Sequence, residues 1–173
     1  MSTCFADLLS DRQVTFIPGD AEQLSFPSGQ DLLVSCSALQ WFVSPEQFFK
    51  RCNALLSGHG YFAFSTFGKE NLKEIAAVTG SGLHYYSLEE LKKSLSMHYN
   101  IVTAGEERIR LTFATPLDVL YHLKHTGVTA VCRQAWTKGD LQEFCDKYAK
   151  LFSCGNAVTL TYHPLYIIAR KKP

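Results

Sequence analysis

The amino-acid sequence predicts an α/β fold. Three runs, at residues 14–17, 31–36 and 60–67, are almost continuously apolar rather than alternating. Runs of this kind are typical of strands buried on both faces of a parallel sheet. A clearly bounded helix separates the second run from the third, and a strand, helix and strand in so short a length indicate a crossover unit.

Composition limits the kind of protein this is. The chain has 173 residues, 46% hydrophobic, which is enough for the core of a single domain over 1–173. Seventeen basic residues against sixteen acidic ones do not suggest bulk binding to nucleic acid. No apolar stretch approaches the roughly 20 residues that cross a bilayer, and the first residues lack the order of a secretory signal. Six scattered cysteines without a Cys-x-x-Cys pair favour a reduced, cytoplasmic protein without a metal site.

The helix between the second and third runs carries start and stop signals. Ser44 can cap it, Pro45 suits its first position, and Gln47 would complete a capping box. Gly58 stands just past its expected end.

Helical signals dominate the second half of the chain. Helices are predicted at 71–78, after Ser87, from Thr115 to about Lys124 and after Thr137. A half-exposed strand is predicted at 106–112, and a long β-rich run at 157–169 is interrupted by Pro164. Because proline is tolerated at sheet edges, these last two strands are expected to form an antiparallel edge. The segment 106–156 is then a strand plus a helical insertion on the substrate side of the domain.

Two segments that follow predicted strands could bind a ligand, because open α/β sheets bind at the carboxyl ends of their strands. Gly19-Asp20-Ala21 follows the first run. There the carboxylate could accept a hydrogen bond from an exocyclic amine such as that of adenine, although the spacing alone favours a loop carboxylate that caps the next turn. Ser37-Ala38-Leu39-Gln40-Trp41 follows the second run and could be either a core corner or the floor of a cofactor pocket.

Motifs for several other chemistries are absent from the sequence. It contains no Gly-x-Gly-x-x-Gly turn, Walker loop, Gly-x-Ser-x-Gly elbow or His-Glu-x-x-His pair. His122 and His125 lie three residues apart on one predicted helix, but no third ligand is evident.

The sequence over 14–170 resembles the class I S-adenosylmethionine-dependent methyltransferases, and more narrowly the malonyl-[acyl-carrier protein] O-methyltransferases of biotin biosynthesis. Gly19-Asp20-Ala21 after one strand and the aspartate that opens the next carry the general resemblance. Ala38-Leu39-Gln40-Trp41, Leu123-Lys124 with Gly127, and Leu160-Thr161-Tyr162-His163 carry the narrower one. The resemblance implies a Rossmann-like fold, of which this chain would form the C-terminal part.

The resemblance also implies a reaction and its site residues. Enzymes of this family transfer a methyl group from S-adenosylmethionine to the free carboxylate of a malonyl thioester on acyl carrier protein. A carboxylate is already ionised at neutral pH, so no catalytic base is expected and positioning should supply the acceleration. On the donor side the family pattern matches Asp20, Ala21, Ser37, Ala38, Leu39, Gln40 and Trp41.

Candidates for the acceptor side come from the insertion, because a cation that pairs with the carboxylate would orient it. These substrate-binding candidates are Arg108, Arg110, Tyr121, Lys124 and Arg133. Together with Lys69 and Lys73, some of them are expected to form a positive docking face for the acidic carrier protein. For each of them a solvated surface cation is the alternative interpretation.

In the family, a glycine-rich turn and an acidic residue that hold the donor precede the part matched here. The sequence is therefore expected to be a truncated form with impaired activity and with weak or no binding of the donor. A second hypothesis is a non-catalytic interaction module whose exposed sheet edge pairs with another chain, including a second copy. A third is a methyltransferase for another small-molecule acceptor.

Overall fold

A computed structural model of the chain describes residues 15, 17–128 and 136–173. Its main sheet consists of four strands, β1 (Gln30–Cys36), β2 (Leu56–Phe67), β3 (Tyr99–Glu106) and β7 (Pro164–Lys171), in the order β1-β2-β7-β3. β1 and β2 pair in parallel, whereas β7 runs antiparallel to both β2 and β3. The predicted α/β fold is confirmed. Residues 14 and 16 of the strand predicted at 14–17 lie outside the described residues, and that strand stays a prediction.

The second sheet has three antiparallel strands in the order β4-β6-β5. They are β4 (Ile109–Phe113), β5 (Ser153–Cys154) and β6 (Ala157–Tyr162). The helices are α1 (Pro45–Leu55), α2 (Lys73–Thr79), α3 (Leu88–Leu95), α4 (Pro116–His125) and α5 (Lys138–Phe152).

The position of β7 differs from the prediction for the last strands. β7 is antiparallel as expected, but it lies inside the main sheet, between β2 and β3, and not at an edge. Pro164 is the first residue of β7, so its missing N–H group falls at the end of the ladder and interrupts no interior hydrogen bond. The strand predicted at 106–112 is in fact the last residue of β3 followed by β4, in two different sheets.

Of the four helices whose first turn was predicted from a capping residue, three are capped by that residue in the structure. Ser87, Thr115 and Thr137 each form a reciprocal capping box, with Glu90, Asp118 and Asp140 respectively. Ser44 makes no such bond at the start of α1. Instead, the carboxylate of Glu22 accepts hydrogen bonds from the backbone N–H groups of Val43 and Ser44, both at 2.9 Å.

Two apolar clusters form the core. One lies between the main sheet and helices α1 and α3, and is centred on Phe49, Phe62, Phe64 and Leu165. The other joins α2, α4 and α5 to the second sheet through residues such as Leu123, Tyr148 and Leu160. Each sheet therefore has its own packed layer.

One face of the main sheet exposes apolar side chains. They alternate along the strands with the buried residues of the first cluster, and we call this surface the open sheet face. Its members include Leu32 (56% exposed), Val34 (61%), Tyr61 (38%), Tyr166 (42%) and Ile168 (39%).

Candidate functional site

A cleft opens where β1 and β2 end, which is the edge of the sheet predicted to bind a ligand. About 240 Å³ of space, open solvent included, lies between its lining residues, and the enclosed part has room for about one water molecule. The cleft is lined by Leu39, Gln40, Pro45, Thr66, Phe67, His84, Tyr85, Tyr86 and Leu91. Aromatic rings therefore form much of its wall, and no lysine or arginine lines it among the residues that the structure describes.

The turn that follows β1 is tightly held. Ser37 has a φ of +50°, a left-handed conformation that is unusual for a residue other than glycine. Its backbone N–H donates to both the carbonyl and the Oγ of Ser65, at 3.0 and 3.2 Å. The Gln40 amide donates to the Ser37 carbonyl at 2.6 Å and accepts from the Thr66 hydroxyl at 3.2 Å. The ends of the two strands are thus joined through Gln40.

The other donor-side candidates after β1 differ in exposure. Leu39 is buried and belongs to the first core cluster, although it also reaches the cleft. Ala38 is half-buried, and Trp41 is 50% exposed. Leu39–Trp41 forms a single 3-10 turn, which presents the indole at the surface while Leu39 turns inward.

Asp20 and Ala21 lie in a loop that is fastened to α1. One oxygen of the Asp20 carboxylate accepts from the backbone N–H of Glu22 at 2.9 Å, which is the capping role that the spacing alone favoured. The Arg51 guanidinium donates to the backbone carbonyls of Glu22 and Leu24. Together with the carboxylate of Glu22 on the start of α1, these bonds fix the loop that carries Asp20.

Sequence reasoning did not identify His84, Tyr85 and Tyr86, which line the cleft from a segment without regular secondary structure. Burial raises the pKa of the Tyr85 hydroxyl, which keeps it protonated at neutral pH. The signal that could have found them is three adjacent aromatic side chains directly before the Ser87 capping box, in the connection between α2 and α3.

The predicted substrate cations are not gathered at the cleft. Arg108 forms ion pairs with Glu70 and Glu106, each at 2.8 Å. Arg110 on β4 and Tyr121 and Lys124 on α4 are exposed, and none of them lines the cleft. Arg133 lies outside the described residues.

The expected docking cations beside the cleft are paired with carboxylates. Lys69 contacts Glu90 at 2.6 Å and Lys73 contacts Glu70 at 2.9 Å. We call this set, Lys69, Glu70, Lys73, Glu90, Glu106 and Arg108, the surface charge network. Its three cations are balanced by three anions, so the patch carries no net positive charge. Arg110 and Lys124 are the predicted cations that have no ion pair within the described ranges.

A buried polar network joins the two sheets beside the cleft. Glu74 is 2% exposed, and its two oxygens accept from the backbone N–H and the hydroxyl of Thr161, at 3.0 and 2.5 Å. His163 is 3% exposed; its Nδ1 accepts from the Glu70 N–H at 3.1 Å, and its Nε2 lies 3.2 Å from a Glu106 oxygen. These bonds hold the second sheet rigidly against the end of β2.

Two kinds of feature do not occur within the described ranges. No helix there is long and apolar enough to span a membrane. No group of three or more histidine, cysteine, aspartate or glutamate side chains there could hold a metal ion.

Comparison with known proteins places this chain in a family. A family model described as "Methyltransferase domain" matches residues 1–64. A methyltransferase from Bacillus halodurans has the same fold, with a TM-score of 0.67 at 17% identity over 98% of this chain and 77% of that one.

Two curated relatives are far more similar in sequence, and both are named malonyl-[acyl-carrier protein] O-methyltransferase. The relative from Bacteroides thetaiotaomicron is 55% identical over 99% of this chain and 70% of its own length. The relative from Bacteroides fragilis is 57% identical over 96% of this chain, which spans only 34% of that longer protein. The chain belongs to the malonyl-[acyl-carrier protein] O-methyltransferase family, within the class I S-adenosylmethionine-dependent methyltransferases.

Proposed function

We propose that this chain takes part in methyl transfer from S-adenosylmethionine to the free carboxylate of a malonyl thioester carried on acyl carrier protein, a cytoplasmic reaction of biotin biosynthesis. The observation that carries the proposal is the identity of 55% with a relative of that name over 99% of the chain. The position of the cleft, at the carboxyl ends of β1 and β2, supports it.

The residues expected to hold the donor fit such a ligand in part. The second carboxylate oxygen of Asp20 has no partner within the described residues and can accept a hydrogen bond from an amine or a hydroxyl. Trp41 offers an exposed aromatic surface, and Ser37 to Gln40 form a fixed turn beside it. S-adenosylmethionine, when bound, supplies a methyl group on a positively charged sulfur. Asp20, Ala21 and residues 37–41 are therefore the side chains that we propose to contact it.

The chain's own contribution to the reaction is positioning. The acceptor carboxylate oxygen attacks the methyl carbon, so that a carbon–oxygen bond forms as the carbon–sulfur bond breaks, and no proton has to move. Leu39, Phe67 and Tyr86 give the cleft apolar walls that remove water from the attacking oxygen. The link through Gln40 fixes the two strand ends, and so the distance between the donor and acceptor sides.

Arg110 and Lys124 are the cations that we propose for contact with the carrier protein, because the other candidates in the described part of the chain are neutralised by carboxylates. Surface charges of this kind mainly raise the rate of encounter with an oppositely charged partner. The whole carrier protein, not only the thioester, is therefore needed to see their effect.

The function is tested by incubating the chain with S-adenosylmethionine and malonyl-[acyl carrier protein] and following the methyl ester by mass spectrometry. Acetyl-[acyl carrier protein], which has no free carboxylate, is the matched control. Formation of the ester on the malonyl substrate alone supports the proposal. A methyl ester formed only on other free carboxylic acids favours a different small-molecule acceptor, and the absence of any product at saturating donor contradicts activity in this chain.

We also propose that two copies of this chain associate along β1. Among the described residues β1 pairs only with β2, and the backbone groups of its other edge have no partner there. A two-fold axis through Leu33 would pair β1 with itself in antiparallel fashion, opposite Leu32 to Val34 and Asp31 to Ser35. That register clusters four exposed apolar side chains and opposes no like charges. A defined dimer that binds neither the donor nor a malonyl thioester would favour the non-catalytic interaction module.

A further inference from the structure

Glu22 joins the two separate segments that are proposed to contact the donor. Its carboxylate accepts from the backbone N–H of Val43 through Oε2 and from that of Ser44 through Oε1, both at 2.9 Å. Its own backbone N–H donates to the Asp20 carboxylate at 2.9 Å. Two hydrogen bonds and one glutamate residue therefore connect the Asp20 carboxylate to the backbone that follows Trp41.

Both ends of this connection are held by short turns. On one side, the Asp20 carbonyl accepts from the N–H groups of Gln23 and Leu24, both at 2.9 Å. On the other side, the Trp41 N–H donates to the Ala38 carbonyl at 3.0 Å and closes the 3-10 turn. Because both turns are fixed, the glutamate side chain between them sets how the Asp20 carboxylate is placed relative to the indole.

The connection requires a carboxylate in particular. The N–H groups of two consecutive residues donate to the two different oxygens of Glu22, so both oxygens must accept. A glutamine side chain has the same size, but its NH₂ group cannot accept and would oppose one of the two N–H groups. The negative charge also lies at the N-terminal end of α1, where the helix dipole favours it.

The two groups that Glu22 aligns suit a flat ring that bears an amine. One oxygen of the Asp20 carboxylate has no partner within the described part of the chain and can accept a hydrogen bond. Trp41 is 50% exposed, so its indole offers surface on which a ring can pack. A carboxylate and an indole held in one fixed relation can test the shape and the hydrogen-bond donors of a base together.

We infer that Glu22 is a positioning residue that sets the selectivity for adenine in the donor. This role rests on the proposed function, because the adenine is that of S-adenosylmethionine. Glu22 acts through Asp20, whose carboxylate it holds where that group accepts from the exocyclic amine of the base. Hypoxanthine carries a carbonyl oxygen in place of the amine, so it gives the carboxylate no donor at that position.

The test compares Glu22→Gln with Glu46→Gln, which removes the same charge from the first turn of α1. Glu46 is exposed and makes no bond to the Asp20 loop among the described residues. Thermal unfolding checks that both variants fold. Calorimetry measures the affinities for S-adenosylhomocysteine and S-inosylhomocysteine, which differ only in that amine and carbonyl. Methyl transfer from S-adenosylmethionine to malonyl-[acyl carrier protein] is measured on the same samples.

We expect Glu22→Gln to weaken the binding of S-adenosylhomocysteine by about tenfold, or about 1.4 kcal/mol. The binding of S-inosylhomocysteine should change less than twofold, so the selectivity between the two bases falls. In methyl transfer, the KM for S-adenosylmethionine should rise more than kcat falls. Glu22→Asp keeps the charge but is one carbon shorter, and it should lose the same selectivity if Glu22→Gln does not fold. Glu46→Gln should match the unaltered chain throughout.

The outcomes separate this role from the proposed function. If the unaltered chain prefers S-adenosylhomocysteine but transfers no methyl group, and Glu22→Gln loses the preference, the role holds and the proposed activity fails. If the chain transfers the methyl group and Glu22→Gln keeps the preference as Glu46→Gln does, the role is overturned and the activity stands. An equal loss for both ligands would reveal a merely structural effect and would also overturn the role. If the unaltered chain neither binds nor transfers, both are overturned.

Discussion

Gly68 shows how a single residue sets the junction between the two sheets. Its backbone N–H donates to the His163 carbonyl at 2.7 Å, just past the end of β2. A Cβ atom at this position would lie 2.6 Å from Cε1 of the His163 ring. Glycine is required here by the close approach of the histidine ring, which the buried polar network holds in place.

Gly68→Ala should therefore destabilise the protein by about 1–3 kcal/mol, the usual cost of forcing an extra carbon into a packed site. Gly58→Ala is the matched control, because Gly58 lies within β2 and nothing lies within 4 Å of the position that its Cβ would take. Urea unfolding followed by circular dichroism measures both variants. Equal midpoints for the two would show that the ring moves aside at little cost.

At the scale of elements, the loop that carries Asp20 depends on a helix that follows it in the chain. Arg51 reaches from α1 to the carbonyls of Glu22 and Leu24, while the Glu22 carboxylate reaches back to the start of the helix. The proposed adenine-side contact is thus positioned by α1.

Arg51→Met keeps most of the apolar stem but removes the two bonds to the loop. Bonds from a charged donor are worth about 1.5–3 kcal/mol, so the amides of Glu22, Gln23 and Leu24 should lose about tenfold or more of their protection. Hydrogen exchange read by mass spectrometry measures this. Lys50→Met, at the exposed neighbouring position, should leave the loop unchanged. Unaltered exchange in Arg51→Met would mean that Glu22 alone fastens the loop.

The surface charge network predicts that the stability of the folded protein falls at low pH. The hydrogen bond from Arg108, followed by that from Lys73, lowers the pKa of Glu70 to about 2, and the bond from Lys69 does the same for Glu90. A carboxyl group whose pKa is lower in the folded state stabilises that state above its ordinary value of 4.5 and loses the contribution as the pH falls towards 2. Stability should thus be level from pH 7 to 5 and fall below about 4.5.

Because these side chains are exposed, the part of that fall due to the network should shrink in high salt. Urea midpoints measured from pH 7 to 2.5, at low salt and at 0.5 M salt, test this. A curve for Glu70→Gln that matches the unaltered chain at low salt would contradict the assignment.

The sequence predicts the start of a helix correctly where the contact that caps it joins residues close together in the chain. The capping boxes at Ser87, Thr115 and Thr137 lie within three residues, and the structure confirms all three helix starts. The box expected at Ser44 is absent because Glu22, 22 residues earlier, takes its place. β3 was missed over most of its length because its side chains alternate irregularly, and its bulge near Ile101 shifts the register.

The same distinction between local and distant contacts decides which parts of the candidate site could be predicted. Residues 37–41 could be predicted to lie at the carboxyl end of β1 because they follow that strand directly in the sequence. The pairing of Arg108 with Glu70, 38 residues away, had no local signal, so a cation predicted for substrate is instead bound to carboxylates. The bond from the Asn71 amide to the Tyr85 hydroxyl, which fixes one of the side chains lining the cleft, likewise had no signal in the sequence.

At the scale of the whole molecule, association is predicted by the open sheet face and by the edge of β1 that has no partner in the described part of the chain. Burying the exposed parts of Leu32 and Val34 stabilises a dimer by about 25 cal/mol per Å² of apolar surface, while paired backbone groups fix its register. Val34→Lys places a charge on this edge and should yield a monomer.

Sedimentation velocity over a range of concentrations measures that change. Val43→Lys is the control, because Val43 is 89% exposed but lies just before α1 and is not part of β1. The unaltered chain and Val43→Lys should show a mass that rises with concentration. A monomer at every concentration of the unaltered chain would exclude the pairing.

The central position of β7 in the main sheet affects how the chain folds during its synthesis. β2 is synthesised about 100 residues before its partner in the centre of the sheet, and until residues 164–171 emerge from the ribosome the inner edges of β2 and β3 are both unpaired. At about 5–20 residues per second, that interval lasts several seconds or more, long enough for a chaperone to bind or for two nascent chains to meet. The main sheet of this protein can therefore close only after residues 164–171 have been synthesised, and its yield in cells should depend on what protects those edges until then.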